Sequence, residues 1–134
     1  MNQGAMKPIQ AIRIDHVQIN VTDLTRARQF YGGLLGLPET PRPDSFDFGG
    51  CWYRIGDVDL HLVIRNPEPL SARHFCLWVA DVQAAARSIE AGGYPVTWDA
   101  KYKINGVGRF FVFDDDQNRI EIQGSDGTGT SRWG

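Results

Sequence analysis

Two stretches of this chain, 58 residues apart, follow one pattern. His16-Val-Gln-Ile-Asn-Val-Thr-Asp-Leu-Thr-Arg-Ala27 and His74-Phe-Cys-Leu-Trp-Val-Ala-Asp-Val-Gln-Ala-Ala85 both read His, four residues, Val, one residue, Asp, an aliphatic residue, two more, then Ala. Later positions correspond at a spacing of 60: Tyr53 with Phe113, Leu60 with Ile120, His61 with Glu121, Leu62 with Ile122. A repeat of this length means one supersecondary unit folded twice. The sequence divides into a first module over 12–66, a linker over 67–71 and a second module over 72–123. Pro67 and Pro69 favour an extended connector. Residues 1–11 and 124–134 lack periodicity and read as flexible ends of one structural domain.

Each module reads as β-α-β-β-β. Residues 14–21 alternate, with Ile14, His16, Gln18 and Asn20 on one face and Asp15, Val17, Ile19 and Val21 on the other. Thr22 or Asp23 caps a helix carrying Leu24, Ala27, Tyr31 and Leu34 at helical spacing, and Gly36 ends it. The second module repeats this plan, with a strand at 74–79, Asp81 as cap, Val82, Ala85, Ala86 and Ile89 inward, and Gly92-Gly93 as terminator. Further strands are predicted at 46–48, 51–55, 58–65, 95–98, 109–113 and 118–123. The expected class is α+β, two βαβββ modules whose sheets form half-barrels.

Composition narrows the function. Fourteen Lys and Arg against sixteen Asp and Glu leave a net charge of −2 and a pI near 5.9, which gives no reason to expect nucleic acid or an anionic membrane as partner. The sequence shows no apolar run near the ~18 residues of a membrane span and no signal-peptide pattern. Cys51 and Cys76 stand far apart without a C-x-x-C pair, so a reducing cytoplasm is expected.

The three histidines fall on repeat-related positions. His16 and His74 open the first strand of each module, and His61 occupies the position where the second module carries Glu121. Strand parity puts all four opposite the helix-packed side, because Leu60, Leu62, Phe75, Leu77, Ile120 and Ile122 take the apolar faces. Three neutral imidazoles and a carboxylate form a ligand set for zinc, nickel, cobalt, manganese or iron(II). Two of six octahedral positions stay open to water or substrate, as Lewis-acid catalysis requires.

A family resemblance enters here. Asp15-His-Val-Gln-Ile-Asn-Val-Thr-Asp-Leu24, followed by Phe30-Tyr31 and Leu34-Leu-Gly-Leu37, resembles the opening of the vicinal oxygen chelate superfamily. Gly56-Asp-Val-Asp-Leu-His-Leu62 and Phe111-Val-Phe-Asp-Asp-Asp-Gln-Asn-Arg-Ile-Glu121 resemble its other signatures. The superfamily includes glyoxalase I, methylmalonyl-CoA epimerase, extradiol dioxygenases, and the fosfomycin- and bleomycin-resistance proteins. The resemblance implies paired βαβββ modules around one divalent metal, completed by a second chain as a homodimer. It implies that His16, His61, His74 and Glu121 take the family's metal positions. The family's Asp-Pro-Asp-Gly-Asn turn reads Asp114-Asp-Asp-Gln-Asn118 here, so Gln117 or Asn118 must replace the glycine.

The resemblance implies a lyase or isomerase acting on a small oxygen-chelating substrate through a metal-stabilised enediolate-like intermediate, with Glu121 moving the proton. Glyoxalase I has Glu, and the epimerase Gln, where this chain has His61. Two alternatives come from the same family: a metal-free binding protein like those of bleomycin resistance, and an Fe(II) extradiol-type dioxygenase using His16, His74 and Glu121. Trp78 is placed by parity on the His74 face, and Gln18, Arg109, Phe111 and Phe113 join it as candidate substrate-pocket residues.

Overall fold

The computed structural model describes residues 8–99 and 106–125. The first module holds strand β1 (His16–Val21), helix α1 (Leu24–Ala27) continuing as a π-helical stretch (Arg28–Leu34), then β2 (Glu39–Thr40), β3 (Gly50–Ile55) and β4 (Val58–Ile64). The second holds β5 (His74–Val79), helix α2 (Val82–Ala91), β6 (Thr97–Trp98), β7 (Val107–Phe113) and β8 (Arg119–Ser125). Strand order is β1-β4-β3-β2 in one sheet and β5-β8-β7-β6 in the other. The first pair in each is parallel and the rest antiparallel. Even the registers agree: Gln18 sits opposite His61 as Cys76 sits opposite Glu121. The expected α+β plan of two βαβββ modules is the observed one.

Both helices start where the sequence places them. Asp23 accepts a bond from the Arg26 amide at 3.2 Å, and Asp81 from the Ala84 amide at 3.0 Å, satisfying donors a helix start leaves orphaned. Both stop at glycines in the left-handed region, Gly36 (φ +71°) and Gly93 (φ +94°). The first helix differs from expectation in its winding. The Leu35 amide bonds the Phe30 carbonyl five residues back at 2.9 Å, and the wider turn carries both Phe30 and Tyr31 fully inward. Two strands also differ. The strand expected at 46–48 is absent, and β2 forms at 39–40 instead, paired with Tyr53 and Trp52 and flanked by a bond from the Arg54 amide to the Pro38 carbonyl. Pro41 and Pro43 donate no ladder bonds, so pairing stops and residues 41–49 run as a loop. β8 continues through Gly124 and Ser125, beyond the boundary expected for the tail, because Gly124 lies opposite Val79 and Gly108. A Cβ at Gly124 would meet the Val79 carbonyl at 2.2 Å, so only glycine fits there. The remaining ends expected to be flexible, 1–7 and 126–134, lie outside the described residues.

The helix-side faces of both sheets merge into one core. Val21, Tyr31, Leu60 and Leu62 of the first module join Val82, Ile89, Phe110, Val112, Ile120 and Ile122 of the second. The β7–β8 turn ties the modules further. Asp114 accepts from the Tyr31 hydroxyl at 2.7 Å, Asp116 from the Thr22 hydroxyl at 2.7 Å, and Asp115 from Arg26 at 3.1 Å. Asn118 donates to the Asn20 carbonyl at 2.9 Å. Within that turn Gln117 is the residue with positive φ, +66°, and Asn118 is free to bond. With their inner faces spent on one core, the sheets leave the histidine-bearing faces outward.

Candidate metal centre

The outward face of the first sheet is read across its registers. One row holds Thr40, Trp52, His61 and Gln18, and the next holds Arg54, Asp59 and His16. His61 lies between two rings, stacked on Trp52 at 3.9 Å and 4°, and on His16 at 4.3 Å and 15°. Carboxylates orient both imidazoles. His16 Nδ1 lies 3.0 Å from Asp15, and His61 Nε2 lies 3.4 Å from Asp59, which Arg54 grips from its other side. The hydrogen bond to His16 holds the Asp15 carboxyl below its usual value, and the bond from Arg54 does the same for Asp59. Burial pushes the His61 imidazole below its usual pKa, against the opposing pull of Asp59. Burial therefore disfavours the charged form of His61.

The second sheet arms the equivalent face differently. Its rows hold Thr97, Phe111, Glu121 and Cys76, then Arg109, Gln123 and Trp78, then Phe113, Arg119 and His74. His74 Nε2 stands 2.9 Å from Glu121 Oε1, and His74 Nδ1 stands 2.9 Å from the Ala72 carbonyl. Arg109 reaches Glu121 Oε2 at 3.4 Å and Asp99 at 2.7 Å. The bond to Asp99 raises the Arg109 pKa. Phe111 sits under this group, its ring 5.5 Å from that of His74 and 3.9 Å from the Arg119 guanidinium.

The donors fit a divalent ion in two respects. Ligating histidines commonly give their second ring nitrogen to a carboxylate or carbonyl. His16 does so with Asp15, leaving its Nε2 as the donor, and His74 with Ala72, whose Nε2 meets Glu121 in a contact that an ion would have to replace. The 2.9 Å between His74 Nε2 and Glu121 Oε1 also matches the edge of an octahedron with bonds of ~2.1 Å. His61 fits less directly. Imidazole lone pairs lie in the ring plane, so two parallel stacked rings cannot aim at one ion. His61 shares an ion with His16 only after one of the two imidazoles turns out of their stack.

The structure brings the expected ligands together as two pairs, His16 with His61 and His74 with Glu121, one pair on each sheet. Among the described residues of a single chain, no three His, Cys, Asp or Glu side chains are grouped to hold a metal ion. Of the expected pocket residues, Gln18 shares the His61 row, while Trp78, Arg109, Phe111 and Phe113 share the face of Glu121. Arg109 is engaged with Asp99 and Glu121, so its charge is already answered. Asp15, Asp59, Arg54 and Trp52 were not picked out by sequence reasoning as the groups that hold the imidazoles. The signal for Asp59 was its parity with His61, and for Trp52 its place one strand over in the same row.

Residues 13–122 match the model of the Glyoxalase/Bleomycin resistance protein/Dioxygenase superfamily. A crystal structure of a glyoxalase family protein from Bacillus anthracis is 30% identical, with a TM-score of 0.77 over 90% of this chain and 99% of that one. The fosfomycin resistance protein FosX from Listeria monocytogenes, solved with Mn(II) and sulfate, has the same fold, with a TM-score of 0.72 at 13% identity over 87% of this chain and 92% of that one. Among curated proteins, Glyoxylase I 4 of Arabidopsis thaliana is 29% identical over 69 residues, 52% of this chain. That match spans 39% of the plant protein.

Proposed function

The chain belongs to the glyoxalase/bleomycin resistance protein/dioxygenase superfamily, and on that premise we propose that it is a divalent-metal enzyme of lyase or isomerase type. It acts as a homodimer on a small substrate that chelates through vicinal oxygens. The observation that carries this reading is the His74–Glu121 pair, preset at 2.9 Å with the remote nitrogen of His74 already satisfied. The split between donor pairs supports the dimer. One chain places His16 on one sheet and His74 with the buried Glu121 on the other, so in this reading a second copy closes the set. Two-fold pairing would set His16 of one protomer against His74 and Glu121 of its partner, twice over.

The ion, when bound, supplies Lewis acidity that makes a proton beside a chelated carbonyl easier to remove. His16 and His74 would hold it through Nε2, with the Glu121 carboxylate as the third ligand. Glu121 is also the base. When Oε1 takes the proton, the carboxylate stays tethered by Arg109 at Oε2, so it returns the proton from the same place. A second reading is favoured by the Trp52–His61–His16 stack. With His61 held there, two histidines and one carboxylate remain, the set that suits Fe(II) extradiol chemistry. Oxygen uptake by Fe(II)-loaded protein with a catechol would single out that reading. Cys51 and Cys76 form no disulfide, in keeping with a reducing cytoplasm, and no helix among the described residues is long and apolar enough to cross a membrane.

Chelator-treated protein should rebind about one Mn(II) or Zn(II) per chain, and His16→Ala or His74→Ala should abolish this. Mixing the two variants should restore about a quarter of the sites, since half of the dimers then carry one intact set. A mixture that stays empty would place the set within one chain. A monomeric mass by light scattering would sink the dimer.

A further inference from the structure

Register places Arg119 opposite His74 as it places Asp59 opposite His16, and the two positions match at the repeat spacing. In the first module that position serves an imidazole directly, since Asp59 stands 3.4 Å from His61. In the second it holds a cation, one strand away from a candidate metal ligand. Like charges repel, so a guanidinium beside a divalent-ion site opposes binding unless it contributes something else. Its contacts supply the reason. His74 is held by two groups: its Nδ1 stands 2.9 Å from the Ala72 carbonyl, and the Phe111 ring meets it edge-on at 5.5 Å and 87°. Arg119 touches both. Its guanidinium lies 3.9 Å from the Phe111 ring centre, and Nη1 donates to the same Ala72 carbonyl at 3.3 Å. Ring, guanidinium, carbonyl and imidazole thus form a closed circuit. The carbonyl needs this support, because Ser71, Ala72 and Arg73 are exposed and belong to no strand or helix. Among the described residues no carboxylate holds Arg119, whereas Arg109 is engaged with Asp99 and Glu121.

We propose that Arg119 is a positioning residue: by fixing the Ala72 carbonyl against Phe111, it fixes the rotation of the His74 ring and the direction of Nε2. The proposal rests on the metal reading above for its consequence, not for the circuit itself. A carbonyl only accepts, so the Nδ1 that meets it carries the proton, and in the neutral ring Nε2 keeps the lone pair a metal requires. Without Arg119 the carbonyl turns with its loop, and the imidazole loses the bond that selects this tautomer. The sign of the residue also fits. Glu121 already brings a carboxylate to the other edge of His74, and an aspartate here, as in the first module, would set a second negative charge beside it.

Two variants test this. Arg119→Met keeps an unbranched stem over Phe111 but removes donor and charge, while Arg119→Lys keeps both. Calorimetry should show Mn(II) bound about tenfold more weakly by Arg119→Met and within about threefold of wild type by Arg119→Lys. The direction is decisive, since removing a cation by itself tightens a divalent ion. In metal-free protein the His74 ring protons, assigned by their absence in His74→Ala, report the circuit by NMR. They should shift toward free imidazole in Arg119→Met, where Phe111 no longer meets them at a fixed angle, and keep their wild-type positions in Arg119→Lys. Thermal midpoints equal to wild type show that the fold is kept, and Arg119→Gln, too short to reach Ala72, takes the place of Arg119→Met if that variant unfolds. Tighter or unchanged Mn(II) binding in Arg119→Met, no recovery in Arg119→Lys, or unmoved His74 signals would overturn the proposal. If wild-type protein binds no Mn(II), the metal reading fails, and the metal-free spectra still decide whether Arg119 positions the ring.

Discussion

Across the donor face of the first sheet one row reads Thr40, Trp52, His61 and Gln18, while the matching row of the second reads Thr97, Phe111, Glu121 and Cys76. The strands pair in the same order and directions in both sheets, so along these rows the difference lies in side-chain chemistry. In the first sheet, stacked rings and flanking carboxylates fix imidazoles, and burial lowers the His61 pKa. In the second, an imidazole and a carboxylate meet directly, and Arg109 steadies the carboxylate. Duplication of a fold therefore did not duplicate a site. In the function proposed above, one sheet would offer donors and the other a donor and a base, and that chemistry would need both.

The strongest way to break this contrast is at Glu121. Glu121→Gln keeps shape and one oxygen donor but removes charge and basicity. Metal affinity should fall about 10–100-fold, and turnover at saturating metal by about 10²–10⁴-fold. Wild-type turnover at full occupancy would move the base to His61 and reverse the assignment of the two sheets.

Next in size is the turn that only the second sheet builds. Asp114 accepts from the Tyr31 hydroxyl, the Asn118 side chain and two backbone amides, although burial raises its pKa. Asp114→Ala would orphan the buried Tyr31 hydroxyl and cost on the order of 3 kcal/mol by denaturant unfolding. A loss below about 1 kcal/mol would mean that the shared core alone joins the modules.

A smaller effect is expected at His61, whose ring is stacked and not aimed with His16. His61→Ala should weaken Mn(II) binding by less than about tenfold, where His74→Ala abolishes it. Equal losses in the two variants would show that the stack opens and that His61 ligates.

Smallest is the effect at Gln117. The hairpin of the first sheet turns on Gly56 at φ +61°, but that of the second uses Gln117 at +66°. Gln117→Gly should raise stability by about 1 kcal/mol in thermal unfolding, since the left-handed conformation penalises a side chain. No gain would indicate that the Gln side chain offsets the strain.

The repeat, the strand parity of His16, His61, His74 and Glu121, and both helix caps were legible because each depends on local spacing. The π-helical turn was not, since Leu24, Ala27, Tyr31 and Leu34 fit an α-helix equally well and only the depth reached by Phe30 and Tyr31 distinguishes them. The strand misplaced at 46–48 came from seeking a repeat counterpart to 95–98, and those residues proved to be loop beyond Pro41 and Pro43. Parity told which face each donor takes. It carries no information about which sheet that face meets, so the separation into two pairs emerged only from the tertiary arrangement. Asp59 had the parity of His61 but Asp15 had the opposite parity to His16, and nothing in one sequence marks an aspartate as the partner of a particular imidazole.

The bonds from the 114–118 turn to Asn20, Thr22, Arg26 and Tyr31 make the covalent link over 67–71 almost redundant. A chain nicked within that linker should travel through gel filtration as one particle, and the two halves expressed separately should reassemble when mixed. Halves that drift apart would place the strength of the join in the peptide chain. Halves that stay together would make this protein a non-covalent heterodimer that happens to be written as one polypeptide.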